Sequence, residues 1–202
     1  MQPKIETTIA MDITPQSQKI LETVRKKCGQ VAEPLAHVAR CGAEDVRAFV
    51  FDINDLPDFP TKHVRIHPKH KAAFDQLATI KRPVVYVFDI ISATSPKVVR
   101  ATAELYRGGE RTMPAFRSNV ETATQCLYVG KVKSHFQARI VQHLGFGSTP
   151  KTQALQLCHW ARGLDLQLRL TVFEFRTDMA DLLPLLEKAV ASQLGPSIGK
   201  HQ

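Results

Sequence analysis

Cys126-Leu127-Tyr128-Val129-Gly130-Lys131, followed by Ser134-His135-Phe136-Gln137 and then by Arg139 and His143, is the stretch on which the reading of this 202-residue chain turns. The first six residues are a short apolar run closing on a glycine, which predicts a buried strand. Ser134 and Gln137 have the Ser-x-x-Gln spacing of a capping box, so a helix is expected to open there. On that helix Arg139 and His143 stand at i and i+4 and share a face. Phe136, Ile140 and Leu144 recur at i, i+4 and i+8, giving a core-facing stripe beside the polar pair. The Arg/His pair is therefore expected at the rim of the core.

Further elements follow on both sides of this stretch. Pro83-Val84-Val85-Tyr86-Val87-Phe88-Asp89-Ile90 is β-branched and aromatic and too short for a typical helix, so it reads as a strand. Leu166 to Val172 alternates apolar and polar residues, the pattern of a half-buried strand, and continues to Phe175. Thr149-Pro150 predicts the start of a helix that carries Leu155, Cys158 and Ala161 on one side and closes at Gly163. Leu182 to Leu194 reads as the last helix, with Pro184 in its first turn and Glu187 early in it. Upstream, Gln16 to Cys28 reads as a helix begun by Thr14-Pro15, Arg47 to Ile53 as a strand, and Pro68 to Ile80 as a helix. Val50-Phe51-Asp52-Ile53 and Val87-Phe88-Asp89-Ile90 repeat one tetrapeptide, which is too little for a repeat architecture. Two parts are expected: a mainly helical N-terminal extension over residues 1–80, and a domain over 81–202 with an insertion at 91–124.

The net charge of +8 is unevenly placed. Residues 1–58 hold seven Lys/Arg against nine Asp/Glu, so the whole surplus lies downstream, with the residues singled out above. A surplus of this size attracts polyanions and speeds their encounter without choosing among them. Lys97 to Arg117 holds five basic residues against two acidic ones, which makes Arg107 and Arg111 in the insertion candidate nucleic-acid contacts. Lys62 to Lys71 is a second basic cluster with three histidines, expected as a solvated strand or turn and not as a metal site. No apolar run reaches the roughly 18 to 20 residues that span a bilayer, and Met1 to Ala10 lacks the layout of a secretory signal. A cytoplasmic protein is expected, its four scattered cysteines reduced.

In order and spacing, Val84-Val85-Tyr86 on one strand, Tyr128-Val129-Gly130 on the next, Arg139 four residues before His143, and Glu187 on a later helix resemble the GIY-YIG nuclease domain. The resemblance covers roughly residues 80–202 and is nearest to the restriction-endonuclease branch, in which Arg and His share a helix in this way. It implies an α+β fold with a small three-stranded antiparallel sheet flanked by helices, and one divalent metal, Mg²⁺ or Mn²⁺, held by a single carboxylate. Three features depart from the family pattern. Val84 stands where the first glycine would be, Tyr86 and Tyr128 are separated by a long basic insertion, and Gly199 lies near the place of the family asparagine.

Phosphodiester hydrolysis needs a deprotonated water, neutralised non-bridging oxygens and help for the leaving alkoxide. On the resemblance, Glu187 would hold the metal and Arg139 would brace the phosphate. Tyr86 would take the proton of the water if nearby positive charge lowered its pKa, and Tyr128 and His143 would position water or relay the proton. Lys131 or Lys133 would supply the positive charge, and Gly130 would give the second motif its backbone fit. Which of these groups is the base stays open. The expected activity is a DNA endonuclease, with the oligomeric state open and a dimer on DNA among the options. The alternative is a non-catalytic nucleic-acid-binding module with the same fold. A small-molecule enzyme is disfavoured because no Gly-rich phosphate cradle occurs.

Overall fold

The alternating run through Leu168, Leu170 and Val172 forms a strand with neighbours on both edges. The computed structural model describes residues 14–59, 63–106, 111–117, 124–147, 149 and 151–199. They fall into two units, 1–40 and 41–202. The described part of the first is helix α1 (Pro15–Cys41). Thr14 starts it, its Oγ1 accepting from the Ser17 N–H at 3.2 Å, with Pro15 in the first turn as expected. The helix runs past the expected end at Cys28 and carries Pro34 in its interior, which forgoes one backbone hydrogen bond.

The second unit is α+β. Strands β1 (Asp45–Asp52), β2 (Val84–Ile90), β3 (Cys126–Val132) and β4 (Gln167–Glu174) form one sheet in the order β1-β4-β2-β3, antiparallel throughout. The three-stranded sheet of the sequence reading is thus corrected to four strands. The added strand comes from the segment assigned to the extension, and it pairs with β4 along its whole length, Asp45 with Glu174 through Asp52 with Gln167. The cause is apolar area. Phe49 and Phe51 lie directly opposite Leu170 and Leu168, and all four are buried. The sheet-bearing unit accordingly starts near residue 41 and not at 81.

Helices α2 (Pro68–Leu77) and α4 (Phe136–Leu144) cover the face that carries Phe51, Tyr86 and Phe88. Phe74 of α2 meets Phe51 with ring centroids 6.3 Å apart, Phe136 of α4 meets Tyr86 at 5.2 Å, and the Gln137 side chain donates to the Phe74 carbonyl at 2.8 Å. Helix α5 (Leu183–Leu194) packs against β3 and β2, over the other face, where Val85 and Val87 are buried. Helix α3 (Pro96–Leu105) lies in the insertion and is capped by Ser95, which accepts from the Lys97 N–H. Among the described residues no helix is long and apolar enough to cross a membrane.

Two local expectations fail for physical reasons. Ser134 does not cap α4: the chain must reverse between β3 and the helix within a few residues, and it does so through His135 in the left-handed region (φ 59°) with no side-chain cap bond. The helix expected after Thr149-Pro150, of which Pro150 lies outside the described residues, is only a 3-10 turn at Leu157–His159. Gln156 is left-handed there (φ 53°), and the Leu155 N–H is drawn to a side chain of α4. The basic cluster around His67 is likewise a 3-10 turn, Val64–Ile66, leading directly into α2.

Membership of β1 in the core can be measured. Phe51→Ala should cost about 3–5 kcal/mol in urea unfolding, whereas Val50→Ala, on the 57% exposed side of the same strand, should cost within about 0.5 kcal/mol. Equal small effects would detach β1 from the cooperative unit.

Candidate active site

Antiparallel pairing of β2 and β3 puts Tyr86 directly opposite Gly130 and Phe88 opposite Tyr128. The glycine leaves room for both rings. A Cβ at position 130 would lie 2.5 Å from the Tyr86 Oη and 2.6 Å from Tyr128 Cε1, closer than non-bonded atoms approach. Helix α4 brings His143 onto the same rings, 4.9 Å from Tyr128 and 5.7 Å from Tyr86 between centroids. Tyr86, Tyr128, Arg139 and His143 therefore converge, with His143 inside the core and not at the rim expected for the Arg/His pair.

Tyr86 and His143 are fully buried, and their hydrogen bond is 2.8 Å long. The Leu155 N–H donates to the other imidazole nitrogen, Nδ1, at 3.2 Å. Nδ1 must therefore be unprotonated, so Nε2 carries the hydrogen and donates it to the Tyr86 hydroxyl. Burial, then the charge of Arg139, pushes the imidazole pKa well below its ordinary 6.5, so His143 is neutral. Burial also pushes the Tyr86 phenol well above its ordinary 10, and the charge of Tyr128 adds to this, outweighing the pull of Arg139. The expectation that Tyr86 accepts a proton from water is thus corrected: it is dry, it already accepts from His143, and its environment resists ionisation. His143, equally dry, does not position water. Arg139 sits beside both phenols. Burial opposes its charge, yet the two hydroxyl groups more than offset this and raise its pKa. Its guanidinium donates to the Gln142 Oε1 at 3.1 Å and to the Gln153 carbonyl at 3.4 Å.

A second layer lies outside the first, around the β3 edge of the sheet. Successive residues of a strand face opposite sides, so Tyr128 and Gly130 project towards α4 while Lys131 projects towards α5. There Lys131 Nζ forms an ion pair with Glu187 Oε2, and the Glu187 side chain is only 10% exposed. Tyr128, Lys131 and Glu187 line one cleft of about 350 Å³, walled further by Met113, Ile198 and Gly199. The wall is a strap of backbone pairings. The N–H groups of Ser197 and Ile198 donate to the carbonyls of Cys126 and Leu127 at 2.9 Å, and Gly199 donates to Ala115 at 3.1 Å.

The remaining candidates fall elsewhere. Lys133 pairs with Asp181 at the surface, at 2.6 Å. Arg111 lies over the Phe59 ring and donates to Gln156, and Arg107 lies outside the described residues. Gln142, Gln153, Met113 and the Leu155 amide escaped the sequence reading. Two of them act through backbone groups, for which side-chain patterns carry no signal. Burial pushes the thiols of Cys126 and Cys158 up to about 12 and about 11, so neither is a nucleophile at neutral pH.

Among the described residues no group of three or more His, Cys, Asp and Glu could hold a metal ion. The described residues therefore build no closed protein cage for a metal. A single carboxylate in a cleft does fit a hydrated Mg²⁺ that takes its other ligands from water and phosphate, with Lys131 as its competitor for Glu187. Comparison with family models, with curated proteins and with solved structures finds no match to this chain.

Two outcomes test the inner layer. Gly130→Ala should unfold at clearly lower temperature than wild type, because the tyrosine rings have no room to retreat. Below pH 6.5 the unfolded chain protonates His143 and the folded chain does not, so stability should fall as pH drops below 6.5, by up to about 1.4 kcal/mol per pH unit for this group. His143→Gln should flatten that slope in urea melts run between pH 7 and pH 5, and an unchanged slope would show that the buried imidazole does not carry it.

Proposed function

We propose that the chain is a divalent-metal-dependent DNA endonuclease of the GIY-YIG kind. The observation that carries the reading is the convergence of Tyr86, Tyr128, Arg139 and His143, from two strands and a helix, beside a cleft that holds Tyr128, Lys131 and Glu187. The basic surplus of the sheet-bearing part supports a polyanionic substrate.

The roles differ from those expected of the sequence set as a whole. Glu187 would hold the metal, which when bound supplies Lewis-acid polarisation of the phosphate and a more acidic water. Lys131 forms an ion pair with that carboxylate and would exchange it for a phosphate oxygen. Tyr128 is the one phenol bordering the cleft, so it is the hydroxyl that a water or a leaving group can reach. Tyr86 and His143 are positioning residues: His143 fixes the Tyr86 hydroxyl, and the pair holds Tyr128 and Arg139 in register behind the cleft. Arg139 supplies fixed positive charge beside the two phenols, which favours developing negative charge on Tyr128.

With Mg²⁺ and supercoiled plasmid, Glu187→Ala should abolish nicking while DNA binding is retained. Tyr128→Phe should slow nicking by about 10²–10⁴-fold, and Tyr86→Phe, acting through its neighbour, by about 10–100-fold. Equal nicking by wild type and Glu187→Ala would remove the reading. One observation favours the alternative of a non-catalytic nucleic-acid-binding module, namely that Lys131 already pairs with Glu187, the one carboxylate among the described residues lining the cleft. That module would bind DNA in a salt-sensitive way and yield no product in Mg²⁺ or Mn²⁺.

A further inference from the structure

Phe59 is 39% exposed, yet its ring is held. The Arg111 guanidinium lies over it at 4.7 Å from the centroid, while His159 and Phe146 meet it edge-on at 5.2 and 6.2 Å. Arg111 is itself aimed, its Nη1 donating to the Gln156 Oε1 at 3.1 Å. The amide nitrogen of Gln156 donates to the Thr112 carbonyl at 2.7 Å and to that of Thr152 at 3.3 Å. Gln156 is 1% exposed and left-handed, a conformation that side-chain-bearing residues adopt at a cost. A buried, strained glutamine thus fixes Arg111 and the residue after it. Among the described residues the partners of Arg111 are neutral, an aromatic face and an amide oxygen, and neither cancels its charge.

Thr112 and Met113, next in the chain, line the cleft of Tyr128, Lys131 and Glu187. The aromatic and cationic platform and the cleft therefore share one segment. Resting on the nucleic-acid reading above, we infer that the protein takes an unpaired nucleic-acid strand, with a base stacked on the Phe59–Arg111 platform and the adjoining phosphates running over Thr112 to Lys131. In a duplex the bases are stacked on one another and a protein surface meets mainly phosphates. An aromatic ring topped by a guanidinium gives its stacking energy only to a base freed from that stack. A phosphate alone would use the charge of Arg111 and gain nothing from the ring of Phe59.

The test is fluorescence anisotropy of a labelled oligothymidylate, alone and annealed to its complement, with the full-length protein in EDTA. Wild type should bind the single strand more tightly than the duplex. Phe59→Leu, which keeps apolar contact with Phe146 but has no π face, should weaken single-strand binding about tenfold. Phe59→Tyr should bind as wild type, which shows that the fold tolerates change at this position. Arg111→Gln should weaken single-strand binding to a similar degree, and duplex binding should be unchanged by the substitutions at position 59. Equal wild-type affinity for the two substrates, or single-strand binding by Phe59→Leu at the wild-type level, overturns the inference. Metal-dependent nicking with no effect at Phe59 removes this inference and leaves the nuclease reading. A Phe59-dependent single-strand preference in a protein that cuts nothing does the reverse.

Discussion

The hydrogen bond between Tyr86 and His143 is the constraint to which the surrounding structure answers. Both groups are cut off from water, and an unpaired buried polar group costs about 1–3 kcal/mol. Each atom of the pair therefore has to find its partner inside the protein. The second imidazole nitrogen takes the Leu155 N–H, which prevents that amide from joining a helix and bends the chain around His143. The Leu155 carbonyl takes the Trp160 indole N–H at 2.7 Å. One buried histidine thus shapes the segment from Leu155 to Trp160, and that segment closes the core over the β2 face. Neutrality is part of the arrangement, since a protonated imidazole would present a donor to the Leu155 donor.

Part of this arrangement is written in the sequence. Strand β4 was legible because its period of two is local, and β2 and β3 because short β-branched runs bury on both faces. That Arg139 and His143 share a face was legible in helix spacing, whereas their meeting with Tyr86 and Tyr128 was implied only by the family resemblance. The place of β1 was not, since pairing of residues 45–52 with residues 167–174 is decided by distant apolar partners that no local pattern records. The Ser134 cap and the helix at residue 150 failed for a related reason. Local propensity favoured both, and tertiary demands, a sharp reversal at His135 and the buried Nδ1 of His143, outweighed it. Burial itself separated the roles. The resemblance offered Tyr86 as the proton acceptor and Tyr128 as a relay, and only packing shows that Tyr86 is buried while Tyr128 borders a cleft.

The cleft has its own electrostatic logic. The Lys131 side chain is one-third exposed and that of Glu187 one-tenth, so the pair is partly withdrawn from water and its charges are screened less than a surface pair's. On the proposed reading, a cation drawn to Glu187 and a phosphate drawn to Lys131 compete with the same ion pair. Each then weakens the contact that opposes the other, which is positive coupling between metal and substrate. A carboxylate without its lysine would bind a cation more readily in the absence of DNA, and the pair holds that tendency in check.

The two motif positions where the family resemblance expects glycine can be judged by the same packing argument. Gly130 is opposite Tyr86, and the rings of Tyr86 and Tyr128 fill the volume that a Cβ would need. Val84 is opposite Val132 and Glu174 and is fully buried, so its side chain adds apolar area to the core. Glycine weakens a strand interior unless something must approach closely. At position 130 two tyrosines do. Val84 favours the sheet through the area it buries, and Gly130 is the glycine on which the tyrosine pair depends.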